Sequence, residues 1–167
     1  LSIELFEVND AWGMSTDADL AFEQYFLYTY DDRGRMDTKK VPGKAVEYIL
    51  YDSQDRMVGM QDGEMRSSNQ WLYTRYDGLG RVLSTGLVSK SDGFQTLQGS
   101  LNSAGSNNAS RVNGTVTGGW PNEEGDLLTV SYYDSYASLT GYSYQANTGF
   151  EAQASTRIHG LQTGVKV

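Results

Sequence analysis

The sequence predicts an all-β fold with a minor α part, arranged as an antiparallel meander of β-hairpins. A six-residue phrase that begins with Tyr-Asp and ends with Arg occurs three times, starting at Tyr30, Tyr51 and Tyr76. An apolar, β-favouring run precedes each copy, and turn-forming residues fill its middle. The spacings of 21 and then 25 residues indicate one supersecondary unit that is repeated.

Each copy is interpreted as the corner of a hairpin. Tyr ends the first strand, Asp can accept backbone N–H groups two residues on, and the residue before Arg takes a left-handed conformation that favours Gly. Arg opens the return strand, close to the preceding Asp or Tyr. Such an exposed pair contributes about 0.2–1 kcal/mol and mainly sets register. The predicted corner residues are Tyr30, Asp31, Gly34 and Arg35, then Tyr51, Asp52, Asp55 and Arg56, then Tyr76, Asp77, Gly80 and Arg81.

Apolar runs and turn signals define the elements around these corners. Residues 1–8 alternate as in an amphipathic strand, and residues 24–30 are apolar on both strand faces, which is typical of a strand covered on both sides. Turns are predicted at Val41-Pro42-Gly43 and at Asp62-Gly63. Further strands are predicted at 46–51, 57–61, 70–76, 81–88 and 127–133.

The pattern changes after residue 90. Phe94, Leu97 and Leu101 recur at three- and four-residue intervals, which favours a short helix near 92–104. Residues 101–113 are rich in Asn, Ser and Gly and are predicted to be a loop. Residues 1–167 are expected to form one segment of a longer protein, with core repeats at 22–90, a helix and loop insertion at 91–126, and further hairpin strands at 127–167. Tyr133-Asp134 echoes the repeat without its Gly and Arg, which leaves open whether a fourth corner forms.

Composition narrows the possible partners. The chain has 13 basic and 21 acidic residues and a net charge of −8, which argues against nucleic-acid binding through phosphates. It contains no Cys, so disulfides, thiolate metal sites and cysteine nucleophiles are excluded. No apolar run reaches the about 18 residues of a membrane span, and none is predicted.

No residue pattern points to catalysis, a cofactor or a metal. The single imidazole, His159, has no nucleophile or orienting group near it in the sequence. Asp10, Asp17 and Asp19 lack the spacing of a calcium loop, and residues 16–19 fit a helix-capping box better. We therefore predict a non-enzymatic protein.

The repeated phrase resembles the YD repeat of the Rhs proteins, the related insecticidal toxin complexes and the animal teneurins. The segments between the repeats are similar to those of Rhs-like surface proteins of Bacteroidetes over residues 20–90 and, less closely, over residues 127–167. They include Lys39-Lys40-Val41-Pro42-Gly43, Asp55-Arg56-Met57-Val58, Gln61-Asp62, Gln70-Trp71-Leu72, Thr85-Gly86, Tyr132-Tyr133-Asp134-Ser135-Tyr136 and Gly160-Leu161-Gln162-Thr163-Gly164. The resemblance implies a cell-surface or secreted protein whose neighbouring YD repeats form a β-sheet scaffold or shell, which encloses or displays a toxin-like passenger.

Two non-catalytic functions follow. In the first, the hairpins join edge to edge with neighbouring repeats or with other copies of the chain, because unpaired strand edges seek partners. In the second, exposed aromatic faces bind glycans. The candidate ligand-facing aromatics are Trp71, Tyr73 and Trp120, for which packing within the sheet is the competing interpretation.

Overall fold

The structure is a computed structural model that describes residues 24–112, 114–123, 125–136 and 157–167. Within them it places two helices, α1 (Gly63–Ser67) and α2 (Phe94–Ser103), and ten strands. The strands are β1 (Leu27–Tyr30), β2 (Met36–Lys40), β3 (Glu47–Tyr51), β4 (Met57–Gln61), β5 (Gln70–Tyr76), β6 (Val82–Ser89), β7 (Ala109–Val112), β8 (Thr115–Gly118), β9 (Asp126–Tyr133) and β10 (Gln162–Lys166).

Eight strands form one antiparallel sheet in the order β1-β2-β3-β4-β5-β6-β9-β10. The strands follow chain order except where the insertion between β6 and β9 forms α2 and the separate β7-β8 hairpin. The predicted all-β fold with minor α content is confirmed, and α2 falls within the range predicted for it.

Every Tyr-Asp hairpin of the sheet contains the same irregularity. One return-strand residue is unmatched just after the corner, and the four such residues are Asp37, Val58, Leu83 and Thr163. A bulge of this kind bends the strand and increases its right-handed twist. The four hairpins therefore share this detail of their geometry.

The main core lies between the central strands and the insertion. Trp71 and Tyr73 of β5 pack in one cluster with Leu97 and Leu101 of α2 and with Trp120. The spacing of the two leucines places both on the buried side of α2. Full burial of side chains of this size contributes about 1.5–3 kcal/mol each, so the insertion supplies a large part of the core.

Three local predictions are wrong. Asp62-Gly63 does not make a hairpin turn, because Asp62 Oδ1 accepts the N–H of Met65 at 2.8 Å and caps α1. The predicted loop at 101–113 contains the last part of α2 and strand β7, which pairs with β8. Strand β1 is not covered on both sides, because its Leu27, Tyr28 and Tyr30 are 40–62% exposed.

The predicted strand at 1–8 and the capping box at 16–19 lie outside the described residues. Neither helix that the structure describes is long and apolar enough to cross a membrane.

Candidate functional site

The three predicted corners form with nearly identical hydrogen bonds. At the first, Asp31 Oδ1 accepts the backbone N–H groups of Arg33 and Arg35, both at 2.9 Å, and Asp31 Oδ2 accepts Arg35 Nε–H at 2.7 Å. Asp52 receives the equivalent bonds from Gln54 and Arg56, and Asp77 receives them from Leu79 and Arg81. Each carboxylate thus organises both the turn and the arginine that follows it.

The left-handed residue of each corner is also where the sequence predicts it. Gly34 and Gly80 have φ of +76° and +79°, and Asp55 takes the same place in the second corner with φ of +63°. A Cβ added at either glycine would meet no atom within 4 Å. Backbone strain alone therefore explains the preference for glycine there.

The expectation that the carboxylates of these corners are exposed is wrong for the second and third corners. The Asp52 side chain is fully buried, and Asp77 is 8% exposed. A carboxylate removed from water needs compensating partners, and the paired arginine and backbone N–H groups supply them. These buried carboxylates depend on their corner partners, so the role of the corners extends beyond setting register.

The same partners control protonation. Burial raises the pKa of the Asp31 and Asp77 carboxyls, but hydrogen bonds from the arginine side chain and the turn N–H groups outweigh it, so both pKa values lie below the ordinary range. Burial also holds the pKa of the Tyr51 and Tyr76 phenols above its ordinary value, although the nearby guanidinium groups oppose this. The carboxylates are therefore charged, and the phenols remain donors, at neutral pH.

Each arginine contacts the tyrosine of the following repeat. The guanidinium carbon of Arg35 lies 4.6 Å from the ring centre of Tyr51, and Arg56 lies 5.1 Å from that of Tyr76. Arg35 Nη1 and Arg56 Nη1 also donate to the backbone carbonyls of the next aspartates, Asp52 and Asp77, at 3.1 Å.

The tyrosines return a bond in the opposite direction. Tyr51 Oη donates to the Met36 carbonyl and Tyr76 Oη to the Met57 carbonyl, both at 3.0 Å. The ion pair predicted within each hairpin is present, but the cation–π contact joins successive hairpins. We call this chain of contacts the Tyr-Asp-Arg ladder, and it comprises the twelve predicted corner residues together with Tyr133 and Asp134.

Strand pairing follows the same rule at every junction between repeats. The residue three positions before each tyrosine is opposite the residue three positions after the preceding arginine. The pairs are Thr38 with Tyr48, Gly59 with Tyr73, and Ser84 with Val130. The register survives at the third junction, although α2 and the β7-β8 hairpin are inserted there, so it is a property of the repeat and does not depend on loop length.

A fourth corner forms at Tyr133-Asp134, which the sequence left open. Arg81 lies 4.5 Å from the Tyr133 ring centre, and Arg81 Nη1 donates to Asp134 Oδ2 at 2.7 Å, which lowers the pKa of that carboxyl. The other half of the corner comes from Gly160, whose φ is +80° and whose N–H donates to Asp134 Oδ1. Leu161 then occupies the position of the arginine, because its carbonyl accepts the N–H of Asp134.

Arg75 is an important residue that the sequence did not single out. It is 3% exposed, and its Nη2 donates to the carbonyls of Pro121 and Glu123 at 2.6 and 2.7 Å. Its backbone lies in β5, so this guanidinium fastens the end of the insertion to the sheet. Only its alternation with Trp71 and Tyr73 indicated an inward-facing position.

The three candidate ligand-facing aromatics are buried, so that role is contradicted for them. Trp71 is 1% exposed, Tyr73 is fully buried, and Trp120 is 9% exposed. The rings of Trp71 and Trp120 meet edge to face with centres 6.2 Å apart. They stabilise the core and present no face to a sugar.

The ladder carries no recognisable reaction chemistry. His159 is exposed beside the split fourth corner, and the described residues contain no group of three or more His, Cys, Asp or Glu that could hold a metal ion. Asp10, Asp17 and Asp19 lie outside the described residues. What the arrangement does is join one hairpin to the next.

Comparisons with protein-family models, with curated proteins and with solved structures each found no significant match to this chain.

Proposed function

We propose that this chain is a non-catalytic structural segment of a Rhs/YD-repeat protein, located at the cell surface or secreted. The observation that carries the proposal is that the same arginine–tyrosine contact and the same strand register recur at three successive junctions of the Tyr-Asp-Arg ladder. Corner hydrogen bonds, bulge, arginine contact and strand register all recur. A unit that repeats its connection to the next unit is suited to building an extended sheet.

The physical cost of isolated hairpins supports the same function. A hairpin alone is marginally stable in water and leaves both edges unpaired. Here each of the first three return strands pairs with the first strand of the following repeat, and the bulges add twist that curves the sheet. A longer series of such units would coil into a scaffold or shell, whose contents would be the toxin-like passenger that the family resemblance implies.

Electron microscopy of the longer parent polypeptide tests the proposal. We expect the Tyr-Asp corners to lie in register along one continuous, coiling sheet that surrounds or presents a separate polypeptide. A parent in which this segment is an isolated bead between flexible linkers would contradict it. In a parent that carries Arg56→Leu, added protease should cleave an enclosed passenger faster than in a matched parent that carries Arg33→Leu. Arg33 is the control because its side chain is 53% exposed.

Carbohydrate binding is the second candidate, and one observation favours it. An open groove of about 1050 Å³ lies beside the start of α2, lined by the exposed Tyr28 and Tyr30 and by the half-buried Asp37 and Tyr48. Titration with cell-wall and host glycans distinguishes the two functions. Saturable binding that Tyr28→Ala abolishes would favour the glycan module, whereas a scaffold segment should show none.

A further inference from the structure

The two ends of the Tyr-Asp-Arg ladder differ. Tyr51, Tyr76 and Tyr133 each lie beneath the guanidinium of the preceding repeat. Tyr30 begins the series and is 62% exposed, and no arginine of the described residues lies over its ring. The first tyrosine therefore presents the receiving half of a contact that all the later ones complete.

No strand among the described residues pairs with the outer edge of β1, next to Tyr30, and β1 is the end strand of the sheet. Leu27 is three residues before Tyr30, the position at which every later first strand pairs with the preceding return strand. The Asp31 carbonyl accepts the Gly34 N–H at 2.9 Å, and the Asp52 carbonyl accepts the Asp55 N–H in the same way. The Asp52 carbonyl also accepts a hydrogen bond from Arg35 of the preceding repeat.

The opposite end of the sheet does not supply the missing partner. Strand β10 is the return strand of the fourth corner, and Leu161 stands there in place of the arginine. A second copy that docked its β10 against β1 would bring an apolar side chain to Tyr30. Among the described residues the ladder is therefore directional, because one end strand offers a tyrosine with no arginine over it and the other offers Leu161 in place of an arginine.

We propose that the β1 edge, with Tyr30 and Asp31 at its end, docks an antiparallel return strand that carries an arginine three residues before the residue opposite Leu27. The occupant is the return strand of another repeat, which follows its arginine as β2, β4 and β6 follow Arg35, Arg56 and Arg81. An arginine suits this position, because the Tyr30 ring is 62% exposed and the exposed Asp32 lies beside Asp31. The inference rests on the proposed scaffold function and gives that scaffold a direction of growth.

Nuclear magnetic resonance of the uniformly ¹⁵N-labelled 167-residue chain tests the docking site. The probe is a synthetic peptide of residues 52–61, which holds Arg56 and its return strand but not the tyrosine strand. The control peptide replaces Arg56 with Leu, as at position 161. We expect saturable shifts in the amides of β1 and Asp31, with binding about fivefold weaker for the control peptide.

Variants of the labelled chain make the result specific. Tyr30→Leu should remove the difference between the two peptides, while Tyr136→Leu, an exposed tyrosine near the opposite end, should preserve it. Equal binding of both peptides, shifts away from β1, or no shifts at millimolar peptide would overturn the docking site. None of those outcomes would contradict the internal ladder. The ladder would be contradicted instead if Arg56→Leu lowered the free energy of unfolding no more than Arg33→Leu does.

Discussion

Replacing Arg56 by Leu should remove the central rung of the Tyr-Asp-Arg ladder. The substitution deletes the side-chain bonds of 2.7 and 2.6 Å to the carboxylate of Asp52, the bond to the Asp77 carbonyl and the contact with the Tyr76 ring. It leaves a carboxylate with no solvent exposure and without its cation. The backbone N–H groups of Gln54 and Arg56 remain as donors.

Removing one partner of a buried ion pair costs about 3–5 kcal/mol. Because Asp52 keeps two backbone donors, we expect a value near the lower end, about 3 kcal/mol. The control is Arg33→Leu, which breaks a pair with Asp55 in which both side chains are more than half exposed. Exposed pairs contribute about 0–1 kcal/mol, so the two variants should differ by at least about 2 kcal/mol.

Equilibrium urea unfolding measures both free energies, and the slope of each transition checks that the variants unfold from a similarly compact state. Arg56→Lys should lie between wild type and Arg56→Leu, because an ammonium keeps the charge but loses the two-pronged geometry. Equal unfolding free energies for Arg56→Leu and Arg33→Leu would refute a structural role for the buried corner.

Three further predictions concern protonation and close packing. Because the folded pKa values of Asp31 and Asp77 are lowered, their contribution to stability is fully present above the unfolded pKa of about 3.9 and is lost as pH falls through the folded values. Urea midpoints from pH 7 to pH 2 should show this fall, and Asp77→Asn should flatten it. Gly80→Ala should lower the free energy of unfolding by about 1–2 kcal/mol, because Gly80 has φ of +79°. The control is Gly78→Ala, whose Cβ would meet only an Asn108 side-chain atom at 3.9 Å and which should change that free energy by less than about 0.5 kcal/mol. Equal effects of the two substitutions would contradict left-handed strain at Gly80. Gly59→Ala would place a Cβ 2.7 Å from the Trp120 ring and should lower the thermal midpoint through overpacking of about 1–3 kcal/mol, so an unchanged midpoint would argue against that packing.

The local features of the repeat could be predicted from the sequence because each has a local cause. Asp at the turn entrance, a residue that tolerates positive φ before Arg, and alternating apolar residues together specify a hairpin. The four-residue spacing of Leu97 and Leu101 likewise predicted helix α2. Asp62 shows where local signals compete, since an Asp-Gly pair suits both a tight turn and a helix N-terminus, and neighbouring packing decides between them.

Features that depend on partners distant in sequence were not predictable in the same way. The phrase alone could not show that Arg35 covers Tyr51, because this contact requires knowing which strand edges meet. Trp71 and Trp120 suit either a sugar platform or a core, and only the position of the insertion buries them. The fourth corner was hidden because its halves, Asp134 and Gly160, are far apart in the sequence.

A double-mutant cycle between Arg56 and Tyr76 tests most directly whether each repeat is linked to the next through its arginine. Urea unfolding of wild type, Arg56→Leu, Tyr76→Leu and the double variant should give a coupling of about 0.5–2 kcal/mol. The matched cycle between Arg56 and Tyr51, the tyrosine of its own hairpin, should give a coupling below about 0.5 kcal/mol. Equal coupling in the two cycles, or none between Arg56 and Tyr76, would contradict the ladder.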